Sequence, residues 1–211
     1  MNGAVRRLGG WAVGILCLAG PTAYPPNRLA AQVSVHISVG ARYSTSLVKD
    51  SVVVPIDLRP TLGPVVQLGV RDAFPGLWTG DATLDISHAG LDRRESGSSV
   101  SAGSATNVTL TLGLRRSLGH GVAARLGFGG LIYSASAPGV FNQGNGGLMP
   151  LVSLSGAYAP PVPIAASHGL EVSVQYDLHR FMTPALRSVG FNRPRPVHRI
   201  AIAVSARVLG R

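Results

Sequence analysis

His36 and Ser38 stand two residues apart in VSVHISVGARYS, and Asp177 and His179 do the same in GLEVSVQYDLHRF. A histidine beside a hydroxyl can generate a nucleophile, and a carboxylate beside a histidine can take part in proton transfer. A spacing of two puts both members of each pair side by side on one face of a strand. Spacing ties no acid to His36 and Ser38, so both pairs are read as polar filling of an interior. His88, His120, His168 and His198 are scattered near strand ends or turns without metal-ligand spacing and are expected to be solvated. GFGG at 127–130 is followed by neither helix nor lysine, so it is no phosphate loop. NVT at 107–109 matches a glycosylation acceptor but lies mid-strand. The expectation is a protein that is not an enzyme, with no catalytic residue, metal ligand or cofactor.

The elements that would position these residues are strands. In 169–181, Leu170, Val172, Val174, Tyr176 and Leu178 alternate with Glu171, Ser173, Gln175, Asp177 and His179, the period of a strand with one apolar and one polar face. The same alternation predicts strands at about 33–44, 64–72, 78–88, 106–116, 121–134, 150–158 and 197–209, eight in all, and no helix in the mature chain. The stretch SVVVPIDL at 51–58 fits either an extension of the first hairpin or no strand. Connections alternate between long and short: 45–63 is long, AFPGL short, GLDRRESGSSVSAGSA at 90–105 long and polar, LGHG tight, and APGVFNQGNGGLM long. PPVPIAASH is intermediate, and TPALRSVGFNRPRP is long.

Charged residues make up 13% of the chain, against roughly 25% in typical soluble domains. Lys49 is the only lysine, so the net charge of +10 is almost all arginine. No apolar run is long enough for a transmembrane helix. Arg6 and Arg7, the short apolar core WAVGILCLAG at 11–20 and small residues near Ala30 and Ala31 predict a signal peptide over 1–32. A barrel domain is then predicted over 33–211. Cleavage removes Cys17, the only cysteine, together with Arg6, Arg7 and Arg28 and no acid, taking the formal charge from +10 to +7. The mature chain then has no disulfide or thiolate site. No basic run or recognition helix supports nucleic-acid binding.

The polar faces carry Arg42, Arg71, Arg115, Arg125, Arg199 and Arg207 against Asp81, Asp85, Glu171 and Asp177, among small residues. Such a set suits a narrow, filled lumen, because eight strands leave an interior just wide enough for side chains. The apolar faces would then meet lipid, with Tyr43, Phe74, Trp78, Tyr133, Tyr158 and Phe181 near strand ends as interfacial girdles. Alternation by itself also fits a soluble secreted barrel with the faces reversed and an apolar ligand inside. In that alternative Val35, Leu112, Val172 and Val204 line a cavity. The loop rhythm, the single lysine and the signal favour the membrane.

Signal, strand count, alternation and loop rhythm together resemble the small eight-stranded outer-membrane β-barrel family, in the manner of the OmpA-type and OmpW-type domains. The resemblance covers 33–211 and implies an all-β, eight-stranded antiparallel up-and-down transmembrane barrel after an N-terminal signal peptide. It also implies contact with outer-membrane lipid and with the barrel-insertion machinery. Such barrels usually close on a strand ending in an aromatic residue, whereas this chain ends with Leu209 and Arg211. Lipid A deacylases of this barrel class hold a His, a Ser and an acid on the outer surface, but His36 and Ser38 fall on the face assigned to the lumen. Arg93, Arg94, Arg193 and Arg195 fall in the expected outer loops, at the level of lipopolysaccharide phosphates, which arginine contacts bidentately. The expected role is structural or surface-interactive with a charge-plugged lumen. A narrow channel for small or apolar solutes is the alternative within the same fold.

Overall fold

The computed structural model describes residues 33–50, 56–74, 76–95, 97–136, 145–163, 168–188 and 190–210. The expected signal, 1–32, lies outside the described residues, as does 51–55 of the SVVVPIDL stretch. Ten strands follow in chain order: β1 (Val33–Ser44), β2 (Val48–Asp50), β3 (Ile56–Pro60), β4 (Gly63–Ala73), β5 (Trp78–Glu95), β6 (Ser98–Gly119), β7 (Val122–Ala135), β8 (Asn145–Tyr158), β9 (Glu171–Phe181) and β10 (Arg195–Leu209). A helix, α1 (Pro184–Ser188), precedes β10.

Eight of these strands form a closed antiparallel ring in the order β1, β4, β5, β6, β7, β8, β9, β10 and back to β1. First and last strands meet in the register Val39↔Val204, Ala41↔Ile202, Tyr43↔Ile200. Gly40 belongs to this seam because a Cβ there would stand 2.0 Å from the Ile202 carbonyl oxygen. The tight β6–β7 turn has His120 at φ 51° and Gly121 at φ 77°, the two-residue geometry of a type I′ hairpin. A Cβ on Gly121 would also lie 2.2 Å from the Ala159 carbonyl oxygen.

Alternation sorts the residues as the ring requires. Gln67, Asp85, Thr109, Ser153, Asp177, Arg199, Ala201 and Ala203 are buried inside. Val39, Leu68, Leu84, Leu110, Leu112, Phe128, Leu154, Val172, Ile202 and Val204 are exposed outside. Leu112, Val172 and Val204 are exposed, and half-buried Val35 shares the outward parity of Ile37 and Val39, so none of the four lines a cavity, which removes the soluble, ligand-filled alternative. No helix among the described residues is long and apolar enough to cross a membrane. The exposed apolar belt is carried by the ring strands.

The structure departs from the sequence expectations at the long-loop end. The polar stretch expected as a loop over 90–105 is instead a continuation of β5 and β6, which stay paired up to Glu95↔Ser98. Ile56–Pro60 docks on its edge, pairing Asp57↔Arg94 and Leu58↔Arg93, so this part of SVVVPIDL extends a hairpin. Beyond the apolar belt neither face needs to be apolar, and the alternation that announces a strand fades. The helix α1 corrects the expectation of none. Thr183 Oγ1 caps it by accepting from the Leu186 amide at 3.2 Å, and Pro184 opens it, but five residues are too few for a helical period.

Leu112 and Val100 are equally exposed, at 64% and 63%, yet Leu112 lies mid-belt and Val100 on the extended hairpin. Leu112→Arg is expected to cost about 2–4 kcal/mol of folding stability in lipid vesicles and Val100→Arg about 0–1 kcal/mol. Urea titration of vesicle-refolded protein checks this, and equal small costs would place Leu112 in water.

Candidate functional site

The lumen is filled in three layers. In the layer nearer the long loops, Arg42 of β1 makes a two-pronged contact with Asp85 of β5. Its guanidinium also lies 3.5 Å from Asp177 of β9 and donates to Ser87 Oγ at 3.3 Å. Arg199 of β10 is wholly buried, 3.9 Å from Asp85, and donates to Thr109 Oγ1 of β6 at 3.3 Å. Gln67 of β4 donates to Gln175 at 2.8 Å and to Asp85 at 3.2 Å, and Gln175 donates to Asp177 at 2.8 Å. Two guanidiniums face two carboxylates, so the layer is neutral and ties six strands across the interior. Charges held out of water in this way persist only when paired and hydrogen-bonded.

The layer nearer the short turns is built differently. Arg71 of β4 and Arg115 of β6 both grip Glu171 of β9, at 3.0–3.1 Å and 2.8–3.0 Å. Arg125 of β7 holds Asp81 of β5 at 2.6–2.7 Å and donates to Thr111 Oγ1 at 2.9 Å. Arg207 sits opposite His36 in the β1–β10 register, at the same end.

The third layer is apolar and closes the lumen at the long-loop end. Leu47, Leu131, Tyr133, Phe181 and Val197 are almost fully buried there, with Leu58, Leu91, Met149, Leu151 and Leu186 packed around them. Tyr133 and Phe181 meet edge-to-face at 5.4 Å, and the Tyr133 hydroxyl lies 3.0 Å from His179 Nε2. These two aromatics are inside, not in the girdle, because they continue the inward parity of β7 and β9. That parity was the signal that could have found them. Tyr43, Phe74, Trp78 and Tyr158 do face outward, and the Arg116 guanidinium lies 5.3 Å over the Trp78 ring.

The histidine pairs do not assemble a catalytic chain. His36 Nε2 lies 3.0 Å from Ser34 Oγ, and His179 bonds Tyr133. Of the histidines expected in water, His88 lies 3.0 Å from Thr106 Oγ1, and His198 is half-buried with its Nδ1 2.6 Å from the Tyr176 hydroxyl. No group of three or more His, Cys, Asp or Glu suited to a metal occurs among the described residues.

At the long-loop end Arg93 and Arg94 lie on β5 and not in a loop, with Arg93 paired to Glu95 at 2.6 Å. Arg195 opens β10 and its Nε donates to the Ser46 carbonyl at 3.1 Å. Arg193 and Arg195 border a cavity of about 230 Å³ floored by Leu47, Phe181, Met182 and Phe191. Arg93 and Arg94 therefore lie on the extended hairpin, whereas Arg193 lies in the β9–β10 connection and Arg195 at the start of β10.

Asp85 is the acid that both cations of the neutral layer approach. Asp85→Asn is expected to cost about 3–5 kcal/mol, because it strands buried guanidinium charge. Glu95→Gln, which breaks an exposed pair, should cost less than about 1 kcal/mol. Unfolding midpoints of the two refolded variants check the contrast.

No protein-family model matches this sequence, and no curated protein matches it significantly. Among solved structures it is similar to Ail, the attachment invasion locus protein of Yersinia pestis, in complex with the heparin analogue sucrose octasulfate. The identity is 14% and the TM-score 0.53, over 84% of this chain and 99% of that one. A second similar structure is the outer-membrane protein OprG of Pseudomonas aeruginosa, at 10% identity and a TM-score of 0.45, covering 84% and 97%. With the closed ring and the apolar belt already described, the likeness to Ail shows that this chain has the fold of the small eight-stranded outer-membrane β-barrels.

Proposed function

We propose that this protein is exported by the signal at 1–32 and inserted into the outer membrane by the barrel-insertion machinery. There it serves as a non-enzymatic scaffold whose long-loop end contacts partners at the cell surface. The observation that carries the reading is the filling of the lumen. Two charged layers bridge opposite walls, and an apolar layer closes the end toward the long loops. Nothing large passes such an interior, so the work falls to the outer surfaces. The narrow-channel alternative draws no support from a lumen sealed by Leu131, Tyr133, Phe181 and Val197. Cells expressing the chain should yield it in the outer-membrane fraction, with a mobility shift between boiled and unboiled samples. In planar bilayers it should give no stable conductance steps, and large, stable steps would refute the plugged lumen.

Arg93, Arg94, Arg193 and Arg195 make the long-loop end basic, and their partner under this reading is the phosphate of lipopolysaccharide. The solved complex of Ail with sucrose octasulfate supports it by analogy, as a polyanion held by a barrel of the same fold. Replacing all four arginines with Gln should weaken lipopolysaccharide binding at least about tenfold, since hydrogen bonds to charged groups contribute about 1.5–3 kcal/mol each. Unchanged binding in a surface-immobilised assay would sink this contact set.

A further inference from the structure

The two charged layers of the lumen differ in balance. Toward the long loops, Arg42 and Arg199 face Asp85 and Asp177. Toward the short turns, three arginines, Arg71, Arg115 and Arg125, are held by two acids, Asp81 and Glu171. Glu171 already serves two arginines, and Asp81 serves one. This cluster thus carries one more positive charge than negative ones, enclosed by strands whose outer faces are apolar.

The same half of the lumen holds a chamber of about 50 Å³. Its walls include Arg71, Arg115, Arg125, His36, Ser38 and Ser155. A cavity needs roughly 10–15 Å³ on this measure for each water-sized occupant, so there is room for a few. Guanidinium N–H groups left over from the carboxylate contacts and serine hydroxyls offer hydrogen-bond donors around it. Asp81, the carboxylate in the chamber wall, is itself held by Arg125.

We propose that this chamber is a binding site for a small monovalent halide, chloride in the cell, which balances the excess charge of the arginine cluster. The ion enters from the short-turn end, because the neutral layer and the apolar layer close the other side. Binding to the folded ring and not to the unfolded chain makes the ion a stabilising ligand.

The test follows the temperature at which the fast-migrating folded band is lost from unboiled gels, using the full barrel in non-ionic detergent. Chloride or bromide is titrated against gluconate at constant ionic strength, with sulfate as a parallel series. A saturable rise of a few degrees with either halide is expected. A response equal to that in gluconate, or a rise with sulfate alone, overturns the proposal. Arg115→Gln lowers the excess charge and should abolish the halide response. Ser155→Asp, placed opposite Arg125 in the β7–β8 register, tethers a carboxylate in the chamber. It should raise the midpoint in gluconate and remove the halide response, which keeps the test decisive if Arg115→Gln fails to fold. A halide response that survives Ser155→Asp overturns the site. Crystals soaked in bromide should show an anomalous peak between Arg115, Arg125 and Ser155, and a chamber without one overturns it as well.

Discussion

A backbone amide that faces hydrocarbon has no water to bond, so each strand crossing the apolar belt must find its partners in other strands. This chain meets that demand by closing on itself: β1 pairs β10 over the same length as it pairs β4, and no edge is left inside the belt. Closure then dictates the side chains. Every second residue is driven inward into a ring of eight strands, whose interior is only wide enough for side chains to fill. The inward set of Ser, Thr, Gly and Ala, with a few long charged residues, follows from that narrow width.

Filling a narrow interior with charge is costly unless the charges complete one another. Removing ions from water incurs a desolvation penalty that only good pairing and added hydrogen bonds offset. The neutral layer meets this condition with two cations, two anions and the Gln67–Gln175 bridge. Its members come from strands far apart in the chain, so the contacts form only when the ring has closed in register. A slip of one residue would turn Arg42 and Asp177 toward lipid. The charged layers thus help specify register as well as occupy space.

The two ends of the barrel solve different problems. The short-turn end needs only tight connections, such as the His120–Gly121 turn. The long-loop end must seal the lumen, and it does so with apolar side chains that carry no desolvation cost: Leu131 and Tyr133 of β7, Phe181 of β9, Val197 of β10 and Leu47 of the first connection. The paired outer lengths of β5 and β6, with β3 on their edge, give this end a structured surface. Its basic residues lie on strands and beside α1, which makes the proposed anionic contact surface a preformed one.

Sequence alone determined the number of ring strands, their approximate spans and the parity of their faces, because a half-lipid, half-lumen environment imposes a period of two that is visible in every strand of the belt. The span 33–44 coincides with β1, and the inward placement of Arg42 or Asp177 follows from parity. Outside the belt that environment ends and the signal ends with it. The outer lengths of β5 and β6 therefore resemble a polar loop, α1 is too short to leave a period, and Tyr133 and Phe181 share the strand-end position of girdle aromatics and differ from them only in parity. The pairing of each arginine with its acid was decided only by tertiary structure. Arg71 and Glu171, or Arg42 and Asp85, lie far apart in the chain and meet across the lumen. Strand tilt and ring closure set which residues share a level, and neither leaves a mark on the local order of amino acids.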